Sequence, residues 1–123
     1  MSNRAIERIS SLMNTKRFVV KVGTSSITDE NSRLDVGKVA ILVSMLMKEV
    51  KNGRSPILVS SGAIGAGLGR LGLPRPDEMQ ELQAAAAVGQ GILMQTYEFF
   101  FNNYEQTIAQ LLLTGDDFTD PER

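Results

Sequence analysis

The chain contains neither cysteine nor histidine. Without cysteine it has no disulfide, no thiolate nucleophile and no cysteine-ligated zinc site. Without histidine it has no Ser-His or Cys-His dyad and no imidazole ligand for a metal. Any chemistry must therefore use lysine, carboxylates, hydroxyls and backbone N–H groups. This favours electrostatic catalysis on anions over hydrolytic triads and zinc enzymes.

An excess of charge of one sign and long apolar runs are also missing. Thirteen Lys and Arg residues stand against 14 Asp and Glu, a net charge of -1, which predicts no basic surface for nucleic acid or acidic lipid. No apolar run reaches the ~18 residues of a membrane span. The N-terminus lacks the basic-then-apolar pattern of a signal peptide. We therefore expect a cytosolic (cytoplasmic) protein with no membrane or nucleic-acid partner.

The chain does contain apolar segments at strand and helix spacing, over about the length of one domain. Three short apolar runs predict buried parallel strands, at 17–23, 56–60 and 107–114. Apolar residues at three- and four-residue intervals predict helices at 4–16, from an N-cap at Asp35 to a stop at Gly53, and at 78–104. The segment 61–74 is predicted to be a glycine-rich turn that becomes a helix. Strands separated by helices imply an α/β fold with a mainly parallel sheet. Because three strands are few for such a sheet, we expect an incomplete domain: either a fragment or a domain that completes its core with another segment.

Other side chains in these segments are interpreted structurally. Gly89 and Gly91 predict a break or thinning of the long helix, and the alanines at 84–87 allow a neighbour to approach closely. The aromatic residues of this helix are interpreted as core or as a helix interface: Tyr97, Phe99, Phe100, Phe101 and Tyr104. A helix cap is favoured over Mg²⁺ binding for Asp116, Asp117 and Asp120. Solvated surface is favoured for Arg70 and Arg75.

Lys21 is the first candidate for chemistry, because it is an ammonium in the otherwise apolar segment 17–23. Such a group is costly to desolvate unless an anion or carboxylate meets it. It lies near the predicted carboxyl end of a strand, where ligands bind in open α/β sheets. Gly23 allows close backbone approach, and Thr24, Ser25 and Ser26 add hydroxyls. A lysine that extends from an edge strand into solvent is an equally good interpretation of this position.

A second candidate is the glycine-rich segment 59–67, VSSGAIGAG, which links a predicted strand to a predicted helix. Successive backbone N–H groups and the helix dipole make such a turn an anion site, and Ser60 and Ser61 add hydroxyls beside it. The structural alternative is a turn kept for tight packing of a helix on the sheet. If the first two strands are neighbours, both turns open on one edge with Lys21 between them. That arrangement suits phosphoryl transfer, which depends mainly on positioning and electrostatics.

Four segments resemble, in the same order, the glutamate 5-kinase branch of the amino acid kinase family: VVKVGTSSIT (19–28), VSSGAIGAGLGRLGL (59–73), LQAAAAVGQGILMQTYEFFF (82–101) and QLLLTGDDFTDPER (110–123). The resemblance implies a three-layer α/β/α fold. It also implies phosphorylation of the γ-carboxylate of L-glutamate with ATP and Mg²⁺, the reaction that leads into proline biosynthesis.

Residue roles implied by the resemblance fall on both glycine turns. Lys21 corresponds to a lysine that contacts the ATP phosphates and stabilises the transferring phosphoryl group. The turn beside it, also assigned to phosphate binding, comprises Gly23, Thr24 and Ser25. The substrate-binding residues, which contact glutamate, correspond to Ser61, Gly62 and Ala63. No metal ligand is assigned.

The resemblance also implies a division of the chain and a partial site. We expect a helical extension at 1–16 and, at 17–123, the amino acid-binding N-terminal part of a kinase domain whose ATP-binding C-terminal half is absent. Such a segment alone should have negligible kinase activity, and the whole enzyme is expected to be a homo-oligomer. Two alternatives remain: a related kinase of the N-acetylglutamate or carbamate type, and a non-catalytic anion- or amino acid-binding module.

Overall fold

A parallel sheet and four helices form the part of the chain that the structure, a computed structural model, describes: residues 2–122. The strands are β1, Arg17–Val22, and β2, Ser55–Ser60. The helices are α1, Asn3–Asn14; α2, Val36–Lys51; α3, Ala63–Leu71; and α4, Met79–Asn102. Short 3-10 turns lie at Thr24–Ser26 and Gly115–Phe118. The predicted α/β class is confirmed. The predicted segments 1–16 and 17–123 begin and end at Met1 and Arg123, and these two residues lie outside the described part of the chain.

The two strands pair in parallel, with Arg17 opposite Ser55 and Val22 opposite Ser60, and α2 forms the crossover between them. Exposure alternates along both strands, because successive side chains point to opposite faces. The inner face packs against α2 and α4 through residues such as Val20 and Leu58. The outer face carries exposed apolar residues, namely Val19, Ile57 and Val59. Within residues 2–122, the expected three layers are thus represented by the sheet and one helical layer.

Helix α2 begins and ends where the sequence predicts. The Asp35 carboxylate accepts a hydrogen bond of 3.1 Å from the Lys38 N–H, as an N-cap does. One stripe of the helix is buried, comprising Val39, Val43, Leu46 and Met47. The helix ends at Lys51, and Gly53 follows with φ 80°, a left-handed conformation that glycine adopts without strain. This stripe supplies half of the core.

Helix α4 contributes Leu93, Tyr97 and Phe101 to the core, and these pack with the α2 stripe and with Ile27. Core placement is confirmed for Tyr97 and Phe101, whereas Phe99 is 65% exposed. Of the predicted break or thinning near Gly89 and Gly91, the break is wrong, since α4 runs unbroken through both residues. Packing explains why a glycine stands at position 89 inside a continuous helix: a side chain there would clash with the Ala63 carbonyl oxygen of α3.

The predicted third strand at 107–114 is also wrong: the chain there forms neither helix nor strand, and the sheet consists of β1 and β2 within residues 2–122. A strand needs a neighbour for its backbone N–H and C=O groups, and within residues 2–122 this segment has none. Leu111, Leu112 and Leu113 are exposed, while Ile108 still packs against the core.

The acidic segment that follows forms a cap. The Asp117 carboxylate accepts hydrogen bonds from the Thr114 N–H, at 2.6 Å, and from the Thr114 hydroxyl, at 2.8 Å. The Asp117 N–H in turn meets the Thr114 side chain, which completes a capping box around the 3-10 turn Gly115–Phe118. The capping interpretation of this segment is therefore confirmed for Asp117.

Helix α1 is amphipathic as predicted but buries no residue, and it is tied to the sheet by a 3.4 Å hydrogen bond from the Arg54 guanidinium to the Met13 carbonyl. Among residues 2–122, none of the helices combines the length and apolar content needed to cross a bilayer.

Candidate functional site

The candidate site lies where β1 and β2 end side by side. Because Val22 and Ser60 are register partners, the turns that follow them meet. The Ser61 N–H donates to the Val22 carbonyl at 3.2 Å, and the hydroxyls of Thr24 and Ser61 are 2.8 Å apart. The two glycine-containing turns predicted from the sequence are therefore in direct contact.

A cleft of about 830 Å³ opens beside this contact, within the size range of small-molecule sites. Its polar end is lined by Thr24 and by residues 60–65. From there it runs along α3 to residues 72–75, and its sides are formed by residues 31–33 and by Ala86 and Gln90 of α4. All three predicted substrate-binding residues line this cleft: Ser61, Gly62 and Ala63.

The N-terminus of α3 opens into this cleft without a side-chain cap. Gly62 is the N-cap residue, with φ 102°, a conformation that favours glycine. A side chain at Gly62 would also lie 2.8 Å from the Ile27 Cδ1 atom. The first N–H groups of a helix have no partner within the helix and carry partial positive charge. They are therefore placed to bind an anion in the cleft.

The position of α3 is set by backbone contacts with α4 and with the loop before α2. A side chain at Gly67 would clash with the Ala85 carbonyl oxygen, and one at Gly65 would clash with the Ser32 carbonyl oxygen. Together with Gly89, these residues let three backbone segments approach one another closely. The close approach predicted at the alanines 84–87 is confirmed at Ala85, which is buried.

Tyr97 of α4 supports the end of β2 at the site through a hydrogen bond. Its hydroxyl is 2.7 Å from the Ser60 hydroxyl, which itself donates to the Ser61 carbonyl at 3.1 Å. Either hydroxyl can donate in the hydrogen bond between Ser60 and Tyr97. Burial raises the pKa of Tyr97 above its usual value of 10.0, although the hydrogen bond with Ser60 opposes this. The phenol therefore stays protonated and holds the turn in place.

Lys38 supports the β1 side. Its ammonium donates to the Thr28 carbonyl at 2.6 Å and to the Ser25 carbonyl at 3.4 Å. The Thr28 hydroxyl in turn donates to the Thr24 carbonyl at 2.8 Å. The turn that presents Thr24 is thus held by a charged donor from α2. Neither Lys38 nor Tyr97 was predicted as a site residue, because both act through contacts distant in sequence and have no local motif.

Lys21 lies outside the cleft lining. It is exposed on the outer face of the sheet, opposite Val59 in the register, and it is not among the residues that line the cleft. Gly23 is exposed with open space around its Cα. Ser25 lines a smaller depression next to Lys38. The structure therefore brings together Thr24, Ser61, Gly62 and Ala63, but not Lys21.

Residues 16–123 match the amino acid kinase family. The chain belongs to this family. It is 50% identical over 113 residues to the glutamate 5-kinases of Moorella thermoacetica and Symbiobacterium thermophilum, and 51% identical over 113 residues to that of Clostridium tetani. Each alignment covers 91% of this chain but only 30%, 43% and 42% of the respective relative. This amino acid kinase chain thus spans less than half the length of these curated relatives.

The donors in this amino acid kinase cleft fit an anionic group. Helix N–H groups and the hydroxyls of Thr24 and Ser61 converge there, as phosphate or carboxylate oxygens require. A metal has less support: within residues 2–122 no group of three or more acidic residues is arranged to hold an ion. Mg²⁺ is commonly bound through substrate phosphates and only one or two carboxylates. The donor set of the cleft therefore suits anions such as phosphate or carboxylate.

Proposed function

We propose that this chain forms the amino acid-binding part of an ATP-dependent kinase that phosphorylates the γ-carboxylate of L-glutamate. The product would be glutamyl 5-phosphate, made in the first step of proline biosynthesis. The observation that carries this proposal is the uncapped N-terminus of α3 at Gly62, which opens into the cleft within a segment about half identical to glutamate 5-kinases. The division at 1–16 and 17–123, a cytosolic location and assembly into a homo-oligomer belong to the same proposal.

The reaction needs no general base. A carboxyl group with an ordinary pKa near ~4.3 is already ionised at neutral pH, so an oxygen of the substrate can attack the γ-phosphorus of ATP directly. The new O–P bond forms as the bond from that phosphorus to ADP breaks, and no proton has to be removed. A chain without histidine is compatible with this chemistry.

In this proposal the two turns divide the work. Ser61, Gly62 and Ala63 bind glutamate through the serine hydroxyl and the helix N–H groups. Gly23, Thr24 and Ser25 bind the ATP phosphates, and the hydrogen-bonded pair of Thr24 and Ser61 couples the two groups of residues.

Lys21 has the catalytic role in this proposal. Its ammonium is assigned to neutralising charge on the transferring phosphoryl group, and Mg²⁺, when bound with ATP, would neutralise charge on the phosphates. Reaching that group requires the Lys21 side chain to extend from the outer face of the sheet around the end of β1.

A chimera tests the kinase proposal. Residues 1–123 are fused to the remaining part of the Moorella thermoacetica enzyme, and ADP release is measured with glutamate, N-acetylglutamate, aspartate and carbamate. We expect turnover with glutamate that Lys21→Gln abolishes, and negligible turnover by residues 1–123 alone. Preference for another acceptor, turnover unaffected by Lys21→Gln, or kinase activity of residues 1–123 alone would contradict the proposal. Circular dichroism shows that each variant is folded.

The placement of Lys21 outside the cleft lining favours one alternative, a non-catalytic amino acid-binding module. Such a module would bind glutamate at the N-terminus of α3 without phosphoryl transfer. Calorimetric binding of glutamate by a folded chimera that lacks turnover would support this alternative. Acceptor competition in the chimera also separates glutamate from the N-acetylglutamate and carbamate types.

A further inference from the structure

Two arginines, Arg33 and Arg75, are the charged residues in the cleft lining. No aspartate or glutamate is among the residues that line the cleft. Within residues 2–122, neither arginine forms an ion pair; the ion pair found there joins Arg54 and Glu49. Both arginines are exposed, and no carboxylate shares the cleft lining with them. A site of this kind favours a ligand that supplies the missing negative charge.

Arg33 is presented by a rigid loop. The Asp29 carboxylate accepts 2.9 Å hydrogen bonds from the N–H groups of Asn31 and Arg33, and the Asp29 N–H donates to the Arg33 carbonyl at 2.8 Å. Ser32 adopts φ 59°, and its carbonyl packs against Gly65 of α3. The backbone of Arg33 is therefore fixed before any ligand binds, which reduces the entropy lost on binding.

The Arg33 side chain also lies along α3. Its Cβ, Cγ and Cδ atoms are 3.4–3.7 Å from the position that a side chain at Gly69 would occupy. Gly62 and Gly69 are seven residues apart, about 10 Å along a helix axis. The Arg33 stem thus packs on α3 about two turns from Gly62, and Arg33 lines the cleft that begins at Gly62.

Arg75 reaches the same cleft from the other end of α3. The helix ends at Gly72 with φ 66°, and the Leu73 N–H donates back to the Leu68 carbonyl at 3.1 Å. Pro74 and Pro76 flank Arg75 and restrict its backbone. Both arginines are therefore carried by backbone that the fold has already fixed.

We propose that Arg33 and Arg75 bind a second carboxylate of the substrate and so select a dicarboxylic amino acid. Guanidinium groups bind carboxylates through paired, charge-assisted hydrogen bonds, while the neutral donors at the N-terminus of α3 are left for the other anionic group. The identity of the substrate rests on the proposed function. Arg75 is exposed, as the sequence interpretation expected, and this proposal adds a binding role to it.

Ligand binding by the 123-residue chain tests this proposal by calorimetry. Glutamate is compared with 4-aminobutyrate, which keeps one carboxylate and the amine but lacks the second carboxylate. We expect the wild-type chain to bind glutamate at least tenfold more tightly, and Arg33→Gln or Arg75→Gln each to reduce this preference about tenfold. Arg70→Gln is the matched control, because Arg70 is exposed on α3 and outside the cleft lining. Arg33→Lys, which keeps the charge but not the paired geometry, should be intermediate.

Several results would overturn the inference: no measurable binding of glutamate by the wild-type chain, an unchanged preference in both glutamine variants, or an equal loss in Arg70→Gln. In the chimera, a raised KM for ATP with an unchanged KM for glutamate would assign the arginines to nucleotide phosphates and also overturn it. Arginine-dependent binding without turnover would support the inference while the kinase proposal fails. Turnover by the chimera with an unaltered KM for glutamate in both glutamine variants would support the kinase proposal and overturn the inference about the arginines.

Discussion

The contact between α3 and α4 can be measured with a matched pair of substitutions, Gly89→Ala and Gly91→Ala. Both residues lie inside α4, so the added methyl group gains the same helix propensity, about 1 kcal/mol. At Gly91 no neighbouring atom lies within 4 Å of that methyl group. At Gly89 it meets the Ala63 carbonyl oxygen and the Gly67 amide nitrogen. These are backbone atoms of α3, which cannot rotate away as a side chain would.

The difference in stability between the two variants therefore isolates the cost of overpacking, since the propensity gain is common to both. Overpacking a tight contact costs ~1–3 kcal/mol, and an unyielding backbone favours the upper end. We expect Gly91→Ala to stabilise the fold by about 1 kcal/mol. Gly89→Ala should be destabilised by up to about 2 kcal/mol, the overpacking cost less the propensity gain.

Urea unfolding followed by far-UV circular dichroism measures both free energies, with unchanged slopes as the check that the unfolding transition is comparable. Ala63 is the first residue of α3 and lines the candidate site. Because the methyl group at position 89 presses on Ala63, Gly89→Ala should also weaken glutamate binding, whereas Gly91→Ala should not. A Gly89→Ala variant as stable as Gly91→Ala would refute the close contact between the helices.

Three further substitutions test the supports of the site and of α2. Tyr97→Phe should lose about 1 kcal/mol with its hydrogen bond. Because the folded-state pKa of Tyr97 is raised, the wild type should also lose stability as pH rises above 10.0, a loss that the variant lacks; identical alkaline profiles would contradict this. Asp35→Ala should cost about 1 kcal/mol, with Asp35→Asn as the cap-retaining control; equal losses would exclude capping. Lys38→Met should speed hydrogen exchange of the Ile27 amide about fivefold, and unchanged exchange would show that the ammonium does not hold the turn.

The elements that the sequence predicts correctly are those specified by local patterns. Patterns of residues a few positions apart predict β1, which contains Lys21, and β2, which ends at Ser60. Such patterns also predict the N-cap of α2 at Asp35 and its end near Gly53. The meeting of the two turns also follows, because neighbouring parallel strands place their carboxyl ends together.

The wrong predictions concern properties that depend on distant partners. The apolar segment 107–114 has the composition of a buried strand, but hydrogen bonding to a neighbour decides whether a strand forms. Gly89 resembles a helix breaker in sequence, but its role is to admit the backbone of α3. In both cases the local pattern was identified correctly, and the tertiary contact determined its meaning.

The supports of the site were missed for a related reason. Tyr97 lies 37 residues from Ser60, and Lys38 lies 10 and 13 residues from the carbonyls it binds. A tyrosine in an apolar stripe and a lysine in the first turn of a helix have no distinctive spacing. A buried phenol does need a hydrogen-bond partner, and this was the available signal for Tyr97.

The glycine contacts of α3 have a consequence for how this fold can change. Main chain touches main chain at Gly65, Gly67 and Gly89, so no rotamer there can adjust to absorb a neighbouring mutation. A mutation that presses on these contacts therefore displaces the backbone of α3, including its anion-facing end at Ala63. New ligand preferences must then arise in the two loops that carry Arg33 and Arg75, where side chains can be exchanged without moving the scaffold.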